Sequence, residues 1–138
     1  MLVLQRRCTI KIYIDGACQP NPGHGGWAVL VLDENNNEIE RLTGNVKHTT
    51  NNRMEITAAA KALTLIPDGT EATIYSDSTL VVNTLSLGWK KNLNHDLWDI
   101  VDNNLLGKNV SWVWVKSHNG HRWNEVVNKM AQEAIKRH

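Results

Sequence analysis

Near the start of the chain apolar residues recur at every second position, Ile10, Ile12 and Ile14, and the run ends at Asp15-Gly16 before a segment rich in Gly, Pro and Asn. Such alternation marks a half-buried strand, so residues 8–15 predict a first strand. Residues 26–32 and 39–47 predict a second and a third, joined by the turn-forming run Asp33-Glu34-Asn35-Asn36-Asn37. Three such strands in succession suggest an antiparallel meander. The period then lengthens. Residues 53–66 predict a helix, stopped by Pro67 and the Asp68-Gly69 turn. Residues 71–76 predict a fourth strand, reached through that helix and therefore parallel to the first. Two helices follow, 78–87 closed by Gly88 and 95–106 closed by Gly107, then a strand at 110–115 and a last helix at 122–137. The order βββαβααβα describes an α/β chain, a mixed sheet with helices packed on it.

No linker, repeat or low-complexity tract interrupts this order, and 138 residues fit one domain over positions 1–138. A hydrophobic content of 41% and a charged content of 21% are ordinary for a globular protein. The net charge of +1 neither establishes nor excludes a nucleic-acid partner, because only local charge governs phosphate contacts. Cys8 and Cys18 allow one pair at most, which is no disulfide scaffold and favours a reducing compartment. No stretch has the length of a membrane span, and Met1-Leu2-Val3-Leu4 is too short for a signal-peptide core, so a cytoplasmic location is expected. Six Trp and no Phe have no functional reading.

The candidate chemistry lies in the acids. Thr73-Ile74-Tyr75-Ser76-Asp77 repeats the pattern of the first strand, with an Asp two residues beyond a Tyr at the strand's end. Open α/β sheets bind ligands at the carboxyl ends of their strands, so Asp15 and Asp77 point to one shared site. Helical spacing sets Glu55, Ala58, Ala59, Ala62 and Ile66 on one side of the helix and Arg53, Thr57, Lys61 and Thr64 on the other. Glu55 then heads the apolar stripe, facing the sheet. Each acid also has a plain structural reading. Asp15 suits a turn before Gly16, Asp77 suits an N-cap, and Asn52 with Glu55 three residues on suits a capping box. Taken jointly, three acids at one sheet end repel one another unless a cation neutralises them. All-oxygen ligation points to Mg²⁺ or Mn²⁺ rather than zinc. His118, in the run Val115-Lys116-Ser117-His118-Asn119-Gly120-His121, reads either as a solvated loop residue or as a mobile proton carrier. Trp112 and Trp114 alternate on a strand and read as core residues.

Four segments together resemble type 1 ribonuclease H, which cuts the RNA strand of RNA–DNA hybrids. They are Asp15-Gly16-Ala17-Cys18 with Asn21-Pro22-Gly23 and Gly25-Gly26; Thr50-Asn51-Asn52-Arg53-Met54-Glu55; Tyr75-Ser76-Asp77-Ser78; and Trp114-Val115-Lys116-Ser117-His118-Asn119-Gly120-His121. They span nearly the whole chain in the family's order. The resemblance implies the ribonuclease H-like fold, a five-stranded mixed sheet of three antiparallel then two parallel strands, flanked by helices. It puts Asp15, Glu55 and Asp77 on the family's metal-binding acids and His118 on its loop histidine. It puts Cys18, Asn21, Asn51 and Asn52 on contacts to the hybrid's minor groove and sugars, and Thr50 near a pocket for a DNA phosphate. The asparagines' own chemistry fits turns and caps as well as 2′-hydroxyl readout.

Two departures stand out. Where the family has a fourth acid in its last helix, this chain has Asn128, an uncharged ligand at best. Glu125, one turn earlier, could add charge through a water. The segment 85–96 replaces a long basic helix of some bacterial members with Gly88-Trp89-Lys90-Lys91, whose Trp89, Lys90 and Lys91 either hold the DNA backbone or form a solvated helix end. The implied activity is two-metal hydrolysis that leaves 3′-hydroxyl and 5′-phosphate ends, with Asp15, Glu55, Asp77 and Asn128 as ligands. The implied partner is an RNA–DNA hybrid, with no membrane and a monomeric protein. Two competing readings are a hybrid-binding module disabled by Asn128 and a nuclease of the same broad fold that cuts DNA junctions or duplexes.

Overall fold

Ile12 and Ile14 on one face and Tyr13 on the other are all buried, which sets the first strand, β1 (Thr9–Cys18), at the centre of the sheet. The computed structural model describes residues 8–116 and 121–137. Its elements are β1, β2 (Gly23–Asp33), β3 (Glu38–Thr49), α1 (Asn51–Thr64), β4 (Glu71–Ser76), α2 (Thr79–Leu87), α3 (His95–Leu105), β5 (Asn109–Trp114) and α4 (Arg122–Ile135). The strand order is β3-β2-β1-β4-β5, with β1 to β3 antiparallel and β4 and β5 parallel to β1. This is the predicted architecture. Element ends differ because hydrogen bonding continues past the apolar alternation: β1 runs on to Cys18, opposite Gly25 of β2.

The core has two layers. Ile12, Ile14, Val29 and Val31 meet Ile56, Ala59, Leu63, Val81 and Val101 from α1, α2 and α3 on one face. Tyr13, Ala28, Leu30 and Leu32 meet Val127, Met130 and Ala131 of α4 on the other. β2 therefore buries consecutive residues, as a strand covered on both faces must. The stripe Glu55, Ala58, Ala59, Ala62 and Ile66 is buried as its spacing predicts.

Trp114 corrects the sequence reading. It is 47% exposed, because it ends a strand that, among the described residues, lies at the edge of the sheet, whereas Trp112 is partly buried against the core. Among the described residues no helix is long and apolar enough to cross a membrane. Cys8 and Cys18 are both free thiols.

Gly26 sets the distance between β2 and α4. A Cβ there would sit 2.3 Å from the Ala131 carbonyl oxygen and 2.9 Å from the Ile135 nitrogen, both backbone atoms that cannot swing away. Gly26→Ala is therefore expected to destabilise the fold by about 1–3 kcal/mol. Urea unfolding measures this, and an unchanged midpoint would show that α4 can retreat freely.

Candidate active site

Parallel pairing of β1 with β4 puts Tyr13 beside Tyr75, their rings stacked 4.5 Å apart. Asp15 and Asp77, each two residues further along, arrive at the same end of the sheet. Glu55 comes to them from the second turn of α1. That approach needs glycine at position 16, where a Cβ would lie 2.4 Å from both Met54 C and Glu55 N. The open space lets the Gly16 N–H donate to Glu55 Oε1 at 2.8 Å. One carboxylate oxygen from each of Asp15, Glu55 and Asp77 then lies within 4.8 Å of the others. The three acids converge as the sequence predicts.

The cluster is electrostatically frustrated. Asp15 and Glu55 are only 4% and 7% exposed, so their charges have lost most of their hydration. Burial first, and then the negative charge of Asp77, push the Asp15 carboxyl up to about 7, against the opposing pull of hydrogen bonds from Glu55 and Gly16. Burial, then the charge of Asp15, push Glu55 well above the usual carboxylate range. Glu55 Oε2 is buried without a hydrogen-bond partner. An unpartnered buried acceptor among acid oxygens fits a hard divalent cation, which takes oxygen ligands and offsets like charge.

Around the acids lies a cleft of about 460 Å³ whose lining includes Cys18, Asn51, Asn52, Asn128 and Gln132. The Cys18 thiol donates to the carbonyls of Pro20 and Thr49 at 3.2 and 3.4 Å. Asn21 Oδ1 accepts from the Asn51 N–H at 3.2 Å, so Asn21 shapes the loop that presents Asn51. Thr50 borders a neighbouring cavity of about 390 Å³ with Pro22, Gly23, His48 and Arg53. Asn128 Oδ1 accepts from Gln132 Nε2 at 2.9 Å. Glu125 is exposed on α4. Trp89 and Lys90 are exposed beyond α2 and are not part of the cleft lining. Lys91 is engaged elsewhere, bonded to Asp102 at 2.8 Å and 5.9 Å above the Trp98 ring. His118 lies outside the described residues.

Two capping assignments change. Thr50 caps α1, its hydroxyl accepting from the Arg53 N–H at 3.2 Å, so the helix starts earlier than the Asn52–Glu55 box requires and Glu55 is released to the site. Ser78, not Asp77, caps α2, accepting from the Val81 N–H at 3.2 Å. The sequence reading also misses three partners. Gly16 is signalled by a glycine inside a strand, a sign of close backbone approach. Gln132 is signalled by its spacing of four from Asn128. The third, Trp114 Nε1 donating to the Asp77 carbonyl at 3.2 Å, has no local signal.

Residues 7–136 match the model of the RNase H family. A protein of Hahella chejuensis named ribonuclease H is 39% identical over 142 residues, covering 93% of this chain and 94% of that protein. A ribonuclease H of Dechloromonas aromatica is 40% identical over 141 residues, with 92% and 93% covered. Among solved structures, LC11-RNase H1 in complex with an RNA/DNA hybrid superposes with a TM-score of 0.80 at 24% identity, covering 93% of this chain and 97% of that one, a likeness of fold.

The frustrated acids set a pH dependence. Their folded-state pKa values lie above the unfolded ones, so between the two the folded state binds more protons. Their stabilising contribution is fully present below about pH 4 and is lost as pH rises through about 7. Chelator-treated protein is expected to lose stability between about pH 5 and about pH 8, and Asp15→Asn to lose less, by on the order of 2 kcal/mol. Thermal melts at the two pH values check this; equal losses would contradict the frustration.

Proposed function

The chain belongs to the ribonuclease H family, and from that membership we propose that it hydrolyses the RNA strand of RNA–DNA hybrids, leaving 3′-hydroxyl and 5′-phosphate ends. The observation that carries this reading is the meeting of Asp15, Glu55 and Asp77 within 4.8 Å at one sheet end. These three, with Asn128, would hold divalent cations, magnesium first and manganese as a substitute. When bound, such ions activate a water and offset the charge growing on the phosphate and the departing 3′ oxygen.

The chain's own residues do the rest. β1 and α1 hold Asp15 and Glu55 on buried elements, and Asp77 follows directly on β4, so little reorganisation is needed as charge moves. Asn51, Asn52 and Cys18 line the cleft beside the acids and would meet the minor groove, where an amide offers both a donor and an acceptor to a 2′-hydroxyl. Asn21 supports Asn51 from behind. Thr50 and Arg53 border the adjacent cavity, which would take a phosphate of the DNA strand. Trp89 and Lys90 reach the DNA backbone from their exposed loop. His118, marked by the sequence resemblance, carries the proton. The protein acts as a monomer in the cytoplasm.

One observation favours a second reading, a hybrid binder with weak cleavage. The Asn128 oxygen, the atom able to ligate a cation, already accepts from Gln132.

Incubating the protein with hybrid, duplex RNA and duplex DNA, with Mg²⁺ or Mn²⁺, separates these readings. Cleavage confined to the RNA of the hybrid, and lost with chelator, is the expected result. Binding of the hybrid without cleavage under both metals would replace the first reading with the second. Asn128→Asp is expected to lower the Mg²⁺ concentration for half-maximal cleavage by a factor of about 3–10. A metal titration superimposable on that of the parent protein would remove position 128 from the ligand set.

A further inference from the structure

Of the three acids, Asp77 alone lies outside a strand or helix, between Ser76 at the end of β4 and Ser78 at the cap of α2. The peptide joining Asp77 to Ser78 is nonetheless gripped at both ends. Its N–H donates to Ser76 Oγ at 3.0 Å, and Ser76 itself is fully buried. Its carbonyl accepts from the Trp114 indole N–H at 3.2 Å. Beside it the Val115 N–H donates to the Ser76 carbonyl at 2.9 Å, locking the end of β5 to the same turn. A planar peptide anchored at one end can still tilt about its Cα–Cα axis, and anchored at both ends it cannot. Held in this way, the peptide gives the Asp77 Cα a fixed mount; a peptide free to shift would carry that Cα with it, and with the Cα the Cβ and carboxylate. Asp15 and Asp77 repel one another, and Asp77 is the less buried of the two.

Trp114 contributes little to the core. The residue is 47% exposed, so water could satisfy the indole N–H if packing were its purpose. We propose that Trp114 is a positioning residue for the acid cluster, its N–H holding the Asp77–Ser78 peptide so that the Asp77 carboxylate stays aimed at the position a cation would take. This rests on the metal-binding reading given above.

The test uses the full-length protein and Mn²⁺ as the probe. Trp114→Phe keeps a ring and removes the donor; Val113→Ala perturbs the neighbouring exposed position of β5 and leaves the donor in place. Calorimetric titration of metal-free protein is expected to show the Mn²⁺ dissociation constant raised about 3–10-fold in Trp114→Phe and unchanged in Val113→Ala. Metal-free melting temperatures should stay within about 4 °C of the parent, the size of a roughly 1 kcal/mol change or less. Hybrid cleavage by Trp114→Phe should recover at saturating Mn²⁺, a loss in metal binding and not in turnover. Parent-like Mn²⁺ affinity in Trp114→Phe, or an equal loss in Val113→Ala, would overturn the proposal. The two readings fail separately: a parent protein that binds Mn²⁺ but cleaves no hybrid removes the ribonuclease reading and leaves the affinity comparison intact.

Discussion

Three carboxylates held within 4.8 Å of one another, two of them buried, form the constraint around which the rest of this molecule is organised. Left to themselves such groups would separate or take up protons. They stay together because each is anchored to an element that the core will not release. Asp15 is on the central strand, Glu55 is on a helix whose inner face is packed, and Asp77 is on a turn bonded to two neighbouring strands. The energy that holds them comes from apolar burial elsewhere, and the local cost is what a divalent cation would relieve.

Small residues make this geometry reachable. Gly16 lets α1 close onto β1 until a backbone N–H touches Glu55, and Gly26 lets α4 close onto β2, the approach that brings Asn128 to the cleft. The alanines at 58, 59 and 62 keep α1 near the sheet without the bulk that would lift Glu55 away. Larger side chains at these positions would move the acids by more than the tolerance of a metal site.

The basic equipment is reduced relative to what the sequence suggests. Lys91 is spent on Asp102 and Trp98, and Arg53 on Asp96, whose carboxyl it pulls down to about 2. Lys90 and Trp89 are exposed beyond α2. Asn128, whose side-chain oxygen already accepts from Gln132, adds no charge to the cleft.

Local patterns were legible without coordinates. Alternation at Ile10, Ile12 and Ile14, the helical stripe behind Glu55, the Pro67-Asp68-Gly69 stop and the repeated Tyr-x-Asp at two strand ends depend on neighbours within a few residues, and the meander, the parallel fourth strand and the meeting of acids followed from them, while the parallel fifth strand came with the family resemblance. What the chain alone did not decide was which of several sound local options each residue takes. Thr50 displaced Asn52 as a cap, Ser78 displaced Asp77, and Trp114 stood in solvent with its N–H on a carbonyl 37 positions away. Nor could burial of Asp15 and Glu55, and the pKa rise it causes, be read from a list of residue types. Periodicity encodes which face turns inward; the distance between two elements, and with it the strength of every charge and hydrogen bond between them, exists only once both have packed.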